Sequence, residues 1–324
     1  MLLGGTIPLS QLIAQTQTPI LGGWIGLKSA TRRFIKTNEK PYFYQHQAEI
    51  KGTGQDKQVL LWKHLEAAMK AEFDPHFQEI GDCTGQAVGL GIDTLTAVQI
   101  GLHKKNERWM GKCSTEAVYA GGRIEIGEGI FCFHKRRPSD GCCNTYLGEY
   151  ARDYGVLLRG KYGKIDISKY NPRLAKIWGS YGVGVPDDLE VISKPHPVQT
   201  ISLVGGWDEA CDLIANGHVI AIGSSIGFET ETDNDGFLVQ NKEGWNHSML
   251  LWGIDSKSKR EGGCLANSWG TNWVVNRRTH KLGTPSGCFW ADAKVIDKML
   301  RHEDSIALSQ YIGYPRQQLD YRLW

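Results

Sequence analysis

Four side chains in this sequence have the types and the order to do covalent chemistry: Gln78, Cys83, His247 and Asn267. Cys83 closes the run Gln-Glu-Ile-Gly-Asp-Cys, His247 opens the apolar run His-Ser-Met-Leu-Leu-Trp-Gly-Ile, and Asn267 begins Asn-Ser-Trp-Gly after a second apolar run. A thiol near its ordinary pKa is a poor nucleophile at neutral pH, but a nearby imidazolium and a helix N-terminus lower that pKa by several units. The sequence predicts a helix that starts at Asp82 or Cys83, which would place the thiol at the positive end of the helix dipole. His247 can take the thiol proton and later deliver it to a leaving amine. Asn267 can orient the imidazole, with Trp269 screening that bond from water. Gln78 and the backbone N–H of Cys83 can donate to a developing oxyanion. The chemistry implied is acyl transfer through a thioester.

The elements that must position these groups are partly legible. Val59, Trp62, Leu65, Ala68 and Met69 recur at helical spacing, which predicts a helix over 58–73. The helix from Asp82 or Cys83 runs through Ala87, Leu90, Leu95 and Val98. Its Gly89 and Gly91 lower the intrinsic propensity and imply close packing against a neighbour. A third helix is predicted over 145–154, with Gly155 as its stop. After Pro195 the pattern changes: a helix from Trp207 to Gly217, then strands at 218–223, 248–254 and 263–267. Helices first and strands second predict an α+β protein with two halves and a cleft between them.

Residues 1–55 show no clear periodicity and read as an N-terminal arm; 56–292 read as the main domain. Residues 293–324 hold a helix-like segment and then an aromatic tail, which is expected to pack on its own body or on a partner.

Composition narrows the function classes. A hydrophobic share of 41% and a charged share of 22% suit a soluble globular protein. The net charge of +2 gives no reason to expect nucleic acid or an anionic membrane as a partner. No apolar run is long enough for a membrane helix, and the N-terminus lacks a basic n-region, so no signal peptide is expected. Eight cysteines in 324 residues are too few for a disulfide scaffold, and reduced thiols are expected. The expected location is the cytoplasm or the interior of a viral or phage particle.

The constellation resembles the papain-like cysteine peptidases, and the likeness covers roughly Phe73 to Asp292. Gly81-Asp82-Cys83 is similar to the family's Gly-Ser-Cys-Trp block, and His247-Ser248 to its His-Ala strand start. Asn267-Ser268-Trp269-Gly270-Thr271-Asn272-Trp273 is very close to Asn-Ser-Trp-Gly-x-x-Trp. Ser114-Thr115-Glu116, Gly141-Cys142 and Tyr154-Gly155 fall where the family has Ser-Glu-Gln, Gly-Cys-x-Gly-Gly and Tyr-Gly.

The resemblance implies a helical N-terminal half and an antiparallel, β-barrel-like C-terminal half, with the active site in the cleft between them. It implies peptide-bond hydrolysis by Cys83, His247, Asn267 and Gln78, with Ser248, Trp269 and Trp273 on the substrate side. It implies no cofactor and no metal.

Four departures stand out. Thr84 replaces the aromatic residue after the nucleophile, and Gln78 lies five rather than six positions before Cys83. Ile80 replaces a cysteine, which removes the usual disulfide partner of Cys142. Residues 1–72 do not read as the family's inhibitory propeptide, so the expectation is either an enzyme made without zymogen control or a chain that is not a vigorous peptidase.

The alternative function is a catalytically weak or silent papain-like scaffold. It would serve a larger assembly, such as a virus or phage particle, through the N-terminal arm and the C-terminal tail.

Other motifs read as ordinary structure. Ser225 sits in Gly-Ser-Ser-Ile-Gly, but a loop-like stretch follows instead of the helix a serine elbow needs. Glu231, Asp233 and Asp235 imitate a calcium loop whose twelfth position would be Lys242. Cys132, His134, Cys142 and Cys143 could ligate zinc, although adjacent cysteines suit a tetrahedral ion poorly. His218 opens an apolar strand with no Asn-Ser-Trp-Gly behind it and is expected to be structural. The basic run at 134–137 is expected to be a solvated loop.

Overall fold

The 21 residues Cys83–His103 are apolar on nearly every side, the mark of a helix buried all round. That helix is the spine of the molecule, and its first residue is the candidate nucleophile. The structure, a computed structural model, describes residues 22–38, 48–75, 77–103, 108–134, 137–193, 198–275, 277–317 and 319. The first 21 residues of the N-terminal stretch, residues 39–47 and the end of the aromatic tail lie outside the described residues.

In chain order the helices are α1 (Lys28–Thr37), α2 (Trp62–Met69), α3 (Cys83–His103), α4 (Thr115–Gly121), α5 (Asn144–Asp153), α6 (Pro172–Trp178), α7 (Asp187–Ser193), α8 (Trp207–Ala215) and α9 (Ala293–Leu300). The strands are β1 (Gln58–Leu60), two short ribbons β2–β3 (Phe133–His134, Arg137–Pro138) and β4–β5 (Lys161–Tyr162, Ile165–Asp166), then β6 (Thr200–Leu203), β7 (Val219–Thr232), β8 (Leu238–Asp255), β9 (Gly262–Ala266), β10 (Cys288–Asp292) and β11 (Ile306–Ser309).

The main sheet is antiparallel in the order β10-β9-β8-β7-β11-β6, with β1 also pairing with β8. The α+β class holds, with most helices in the first half of the chain and every strand of the main sheet except β1 in the second. The expected barrel-like half is an open sheet, because no pairing joins its outer strands β10 and β6. Among the described residues no helix is long and apolar enough to cross a membrane.

Packing of α3 explains its glycines. A Cβ on Gly89 would lie 2.8 Å from Thr115 Cγ2, so α4 can approach only where the side chain is missing. Val88, Leu95 and Val98 of α3 and Leu250, Leu251 and Trp252 of β8 belong to one buried core.

Two expected elements change. The helix predicted over 58–73 is strand β1 followed by the shorter α2. Val59 and Leu60 pair with Ile254 and Gly253 of β8, so a tertiary ladder overrides the helical spacing. Strands β7 and β8 also run well beyond the predicted 218–223 and 248–254. Their outer residues form a hairpin that alternates with solvent and carries no continuous apolar run.

The described parts of both terminal stretches meet the body. Arg33 of α1 pairs with Glu149 of α5 at 2.7 Å. Strand β11 lies between β7 and β6. Tyr314 donates from its hydroxyl to Ala307 O at 3.0 Å, and Gln317 donates from its side chain to Asn216 O at 2.9 Å. As far as residues 317 and 319, the aromatic tail packs on its own body.

Candidate active site

Cys83 is the first residue of α3, and His247 lies on β8, opposite Ser224 of β7. The neighbouring pair in that ladder is Gly223 with Ser248. The backbone N–H of Ser248 hydrogen-bonds the Cys83 thiol, which brings the start of α3 against the strand that carries the histidine.

His247 Nε2 lies 2.7 Å from Asn267 Oδ1. The same Oδ1 accepts the backbone N–H of Ser268 at 2.7 Å. A backbone N–H can only donate, so this atom is the amide oxygen and Nε2 must carry the imidazole proton. Nδ1 is then the basic nitrogen, and it has no hydrogen-bond partner among the described residues. Trp269 lies over the imidazole with ring centroids 4.5 Å apart, and it is packed in turn by Trp245 and Trp273. This aromatic wall keeps water from the His247–Asn267 bond.

Gln78 is buried close by. Its backbone N–H donates to Ser268 O at 2.8 Å, its Oε1 accepts from the Ser268 hydroxyl, and its Nε2 donates to Ile80 O at 2.9 Å. The amide is thereby tied to the segment that holds Asn267. The Ser248 hydroxyl donates to Asn144 Oδ1 at 2.7 Å, at the start of α5. Trp273 donates from its indole N–H to Gly287 O at 2.9 Å and forms part of the aromatic wall.

One feature of the site was invisible in the sequence. Residues 22–26 pass over Cys83: the Gly23 N–H donates to Asn246 O at 2.9 Å and lies near enough to the thiol to favour its thiolate form. Glycine allows this path: a chain with Gly22, Gly23 and Gly26 can lie where no side chain fits.

Burial disfavours charge throughout the covered site. Burial pushes the Cys83 thiol up to about 12, against backbone N–H groups that favour the thiolate. Burial likewise pulls His247 down to about 4, opposed by its bond to Asn267. Asp82, next to Cys83, is pushed up to about 7 by burial despite bonds from Gln86 and Tyr170. A thiol and a neutral imidazole are what remain at neutral pH while residues 22–26 stay in place.

A second missed residue is Asp304, between α9 and β11. It accepts the backbone N–H groups of Asn144 and Thr145 at 2.7 and 3.0 Å and the Trp24 indole N–H at 2.7 Å. An acid in a short polar run reads as solvated from sequence; only the fold encloses it.

The other motifs resolve into structure. Ser225 Oγ lies 3.4 Å from His302 Nδ1, but it sits within β7 with no helix following. In the acidic turn, Arg260 pairs with Asp233 and Asp235 at 2.8 and 2.9 Å and with Asp292 at 2.9 Å, so a guanidinium stands where a cation would. Cys132 donates to Gly179 O at 3.3 Å, and Cys143 accepts from Thr145 Oγ1 at 3.3 Å. The His134 side chain and residues 135 and 136 lie outside the described residues. No cluster of three potential metal ligands occurs among the described residues. His218 is buried with Nε2 3.4 Å from Pro315 O and its ring edge-on to Tyr314.

No protein-family model matches the chain, and no curated protein matches it by sequence. Solved structures do match. Xylellain, a cysteine protease from Xylella fastidiosa, aligns at 17% identity with a TM-score of 0.51, covering 89% of this chain and 91% of that one. The fold is papain-like. Two further papain-like matches are more distant. Procathepsin B S9 from Trypanosoma congolense shows 12% identity and a TM-score of 0.46 over 91% of this chain and 86% of that one. Bromelain from Ananas comosus shows 12% identity and a TM-score of 0.44 over 78% and 98%. At such identities this chain is a divergent example of the papain-like fold.

Proposed function

We propose that this chain hydrolyses peptide bonds through a Cys-His-Asn site. The observation that carries the reading is the arrangement about His247: Nε2–H donates to an Asn267 oxygen that Ser268 holds in place, which leaves Nδ1 as a base with no hydrogen-bond partner among the described residues. A base with its tautomer set by a fixed acceptor is what nucleophilic thiol catalysis needs.

Residues 22–26 must leave the cleft before a substrate enters. His247 Nδ1 then takes the Cys83 proton, and the start of α3 stabilises the thiolate. The sulfur adds to the carbonyl carbon, and the negative charge moves to the carbonyl oxygen. The Cys83 N–H and the Gln78 amide donate to that oxyanion. Collapse of the intermediate breaks the C–N bond as the imidazolium protonates the leaving amine, giving a thioester. Water, deprotonated by the same imidazole, hydrolyses the thioester and restores the thiol. Ser248, Trp269 and Trp273 border the substrate side.

The oxyanion assignment is tested with Gln78→Ala. Losing one such donor is expected to lower kcat on a fluorogenic peptide by about 10²–10³-fold, with KM nearly unchanged. A variant with kcat within about twofold of the parent removes Gln78 from the mechanism.

A further inference from the structure

Asp82 precedes the candidate nucleophile and stands at the N-cap of α3, where its backbone C=O accepts the Gln86 N–H at 3.1 Å. An aspartate in that place ordinarily turns its carboxylate onto the free N–H groups of the first turn. This carboxyl is turned elsewhere. Its Oδ2 accepts the Gln86 side-chain amide at 2.8 Å and the Tyr170 hydroxyl at 3.0 Å. Its Oδ1 has no hydrogen-bond partner among the described residues, and the whole side chain is buried. The Glu79 backbone N–H donates to the Tyr170 hydroxyl at 3.4 Å. A chain of bonds from Glu79 through Tyr170 and Asp82 to Gln86 thus ties the loop that carries Gln78 to the first turn of α3.

Turned this way, the carboxyl leaves the start of α3 to the sulfur. The Thr84 N–H lies near enough to Cys83 to favour its thiolate. What Asp82 adds is charge: ionised, one residue away, it opposes a thiolate, and as a neutral acid it does not. Burial pushes its carboxyl up to about 7, against the bonds from Gln86 and Tyr170, so its charge changes in the neutral range. Two other carboxylates stand near it. Glu116 of α4, which pairs with Arg159 at 3.1 Å, pushes Asp82 further up. Asp140 lies beside Gly81, whose N–H it accepts at 3.4 Å. Burial holds the phenols of Tyr119 and Tyr170 above their ordinary range. The side chains of Glu79 and Lys169 are exposed.

We infer that Asp82 is a positioning residue that acts as a proton-operated control on Cys83, with Gln86 and Tyr170 holding its carboxyl in place. Protonated, it leaves the N-terminus of α3 to the thiolate; ionised, it opposes that thiolate. The inference rests on the reading of Cys83 as the nucleophile and gives that reading a pH direction. The reactivity of the thiol climbs less steeply with pH once Asp82 loses its proton, which biases the site toward the acid side of neutrality.

The test is alkylation of the full chain by iodoacetamide from about pH 5.5 to about pH 9, with modification of Cys83 followed by mass spectrometry in the parent and in Asp82→Asn. Asparagine keeps the shape and removes the charge. The movement of residues 22–26 that exposes the thiol is then common to both proteins and cancels in the ratio of their rates. That ratio, variant over parent, is expected to lie within about twofold of one at the acid end. It should rise through a bend near neutrality to about tenfold at the alkaline end. Tyr170→Phe removes a donor to the carboxylate, so in that background the bend is expected at higher pH.

A ratio that does not change with pH overturns the inference, because a purely structural role for Asp82 acts alike at every pH. A bend that Tyr170→Phe leaves in place also overturns it, since another group is then titrating. Should Asp82→Asn fail to fold, Tyr170→Phe and Gln86→Leu are compared with the parent directly. Both are expected to move the bend in the Cys83 rate to higher pH, and a bend unmoved in both overturns the inference.

Failure of the catalytic reading looks different. If the ratio bends as expected but no peptide is cleaved, the control by Asp82 stands and the peptidase assignment falls. If peptide is cleaved and the ratio is flat, the assignment stands and the control falls.

Discussion

Replacing Cys83 with alanine is expected to lower peptide hydrolysis by at least about 10⁴-fold relative to the parent chain, and His247→Ala by a similar factor. The size follows from the two residues acting as one unit. Without the thiol there is no thioester, and without Nδ1 nothing removes the thiol proton or protonates the leaving amine. Their losses should accordingly not add, so Cys83→Ala/His247→Ala is expected to be no slower than either single variant. The check is kcat/KM on one peptide for all three proteins, with far-ultraviolet circular dichroism to confirm the fold. A double variant slower than both singles by a further 10²-fold or more would show that the residues act separately.

The second large effect is on stability. Glu116→Ala is expected to cost about 3–5 kcal/mol, the range for breaking one side of a buried ion pair. Glu116 is fully buried at the start of α4. Its Oε1 accepts Arg159 Nη1 at 3.1 Å and the Asn171 backbone N–H at 2.6 Å, and its Oε2 accepts the Ser114 hydroxyl at 3.0 Å. Three segments thus converge on one carboxylate: the N-terminus of α4, the chain at Arg159, and Asn171, which caps α6. Removing it takes the counter-charge from a guanidinium whose side chain is only 10% exposed, leaving it the Thr115 hydroxyl and Ile167 O as acceptors. Against a total stability of about 5–15 kcal/mol, such a loss is large. Urea unfolding measures it, and a loss under about 1 kcal/mol would show that Arg159 is rehydrated without strain.

How much of this was readable from the sequence depends on the range of the interactions involved. The helix at Cys83 was legible because a long apolar run needs no distant partner to announce it. Asn267, Ser268 and Trp269 were legible because consecutive residues do the work: one amide holds His247, the next N–H fixes that amide, and the next ring covers both.

The segment over Cys83 was not legible. Gly-Gly-Trp-Ile-Gly has no period, and its partners Cys142, Asn246 and Asp304 lie more than a hundred positions away. Strand β1 failed as a strand for the same reason, since its pairing with β8 is set by residues nearly two hundred positions on. Asp304 looked like any solvated acid until α5, Trp24 and the turn before β11 closed around it. The departures at Thr84 and Ile80 were legible as differences, yet both positions simply join the packing around α3 and Gln78.

The shift of Gln78 by one position leaves its amide beside the site, because Ser268 anchors it from the Asn267 side of the cleft. The neutral state of Cys83 and His247 belongs to the covered site, and burial is its leading cause. Once residues 22–26 lift, water and the helix dipole favour the thiolate, and the bond to Asn267 favours the imidazolium.

The most direct measurement is to incubate the full chain with a peptide-like epoxide until modification is complete and to map the modified residue by mass spectrometry. The expected result is a covalent adduct on Cys83, formed more slowly in His247→Ala, while Cys264 and Cys288 stay unmodified. An epoxide that modifies other cysteines and never Cys83 would contradict the assignment of Cys83 as the nucleophile.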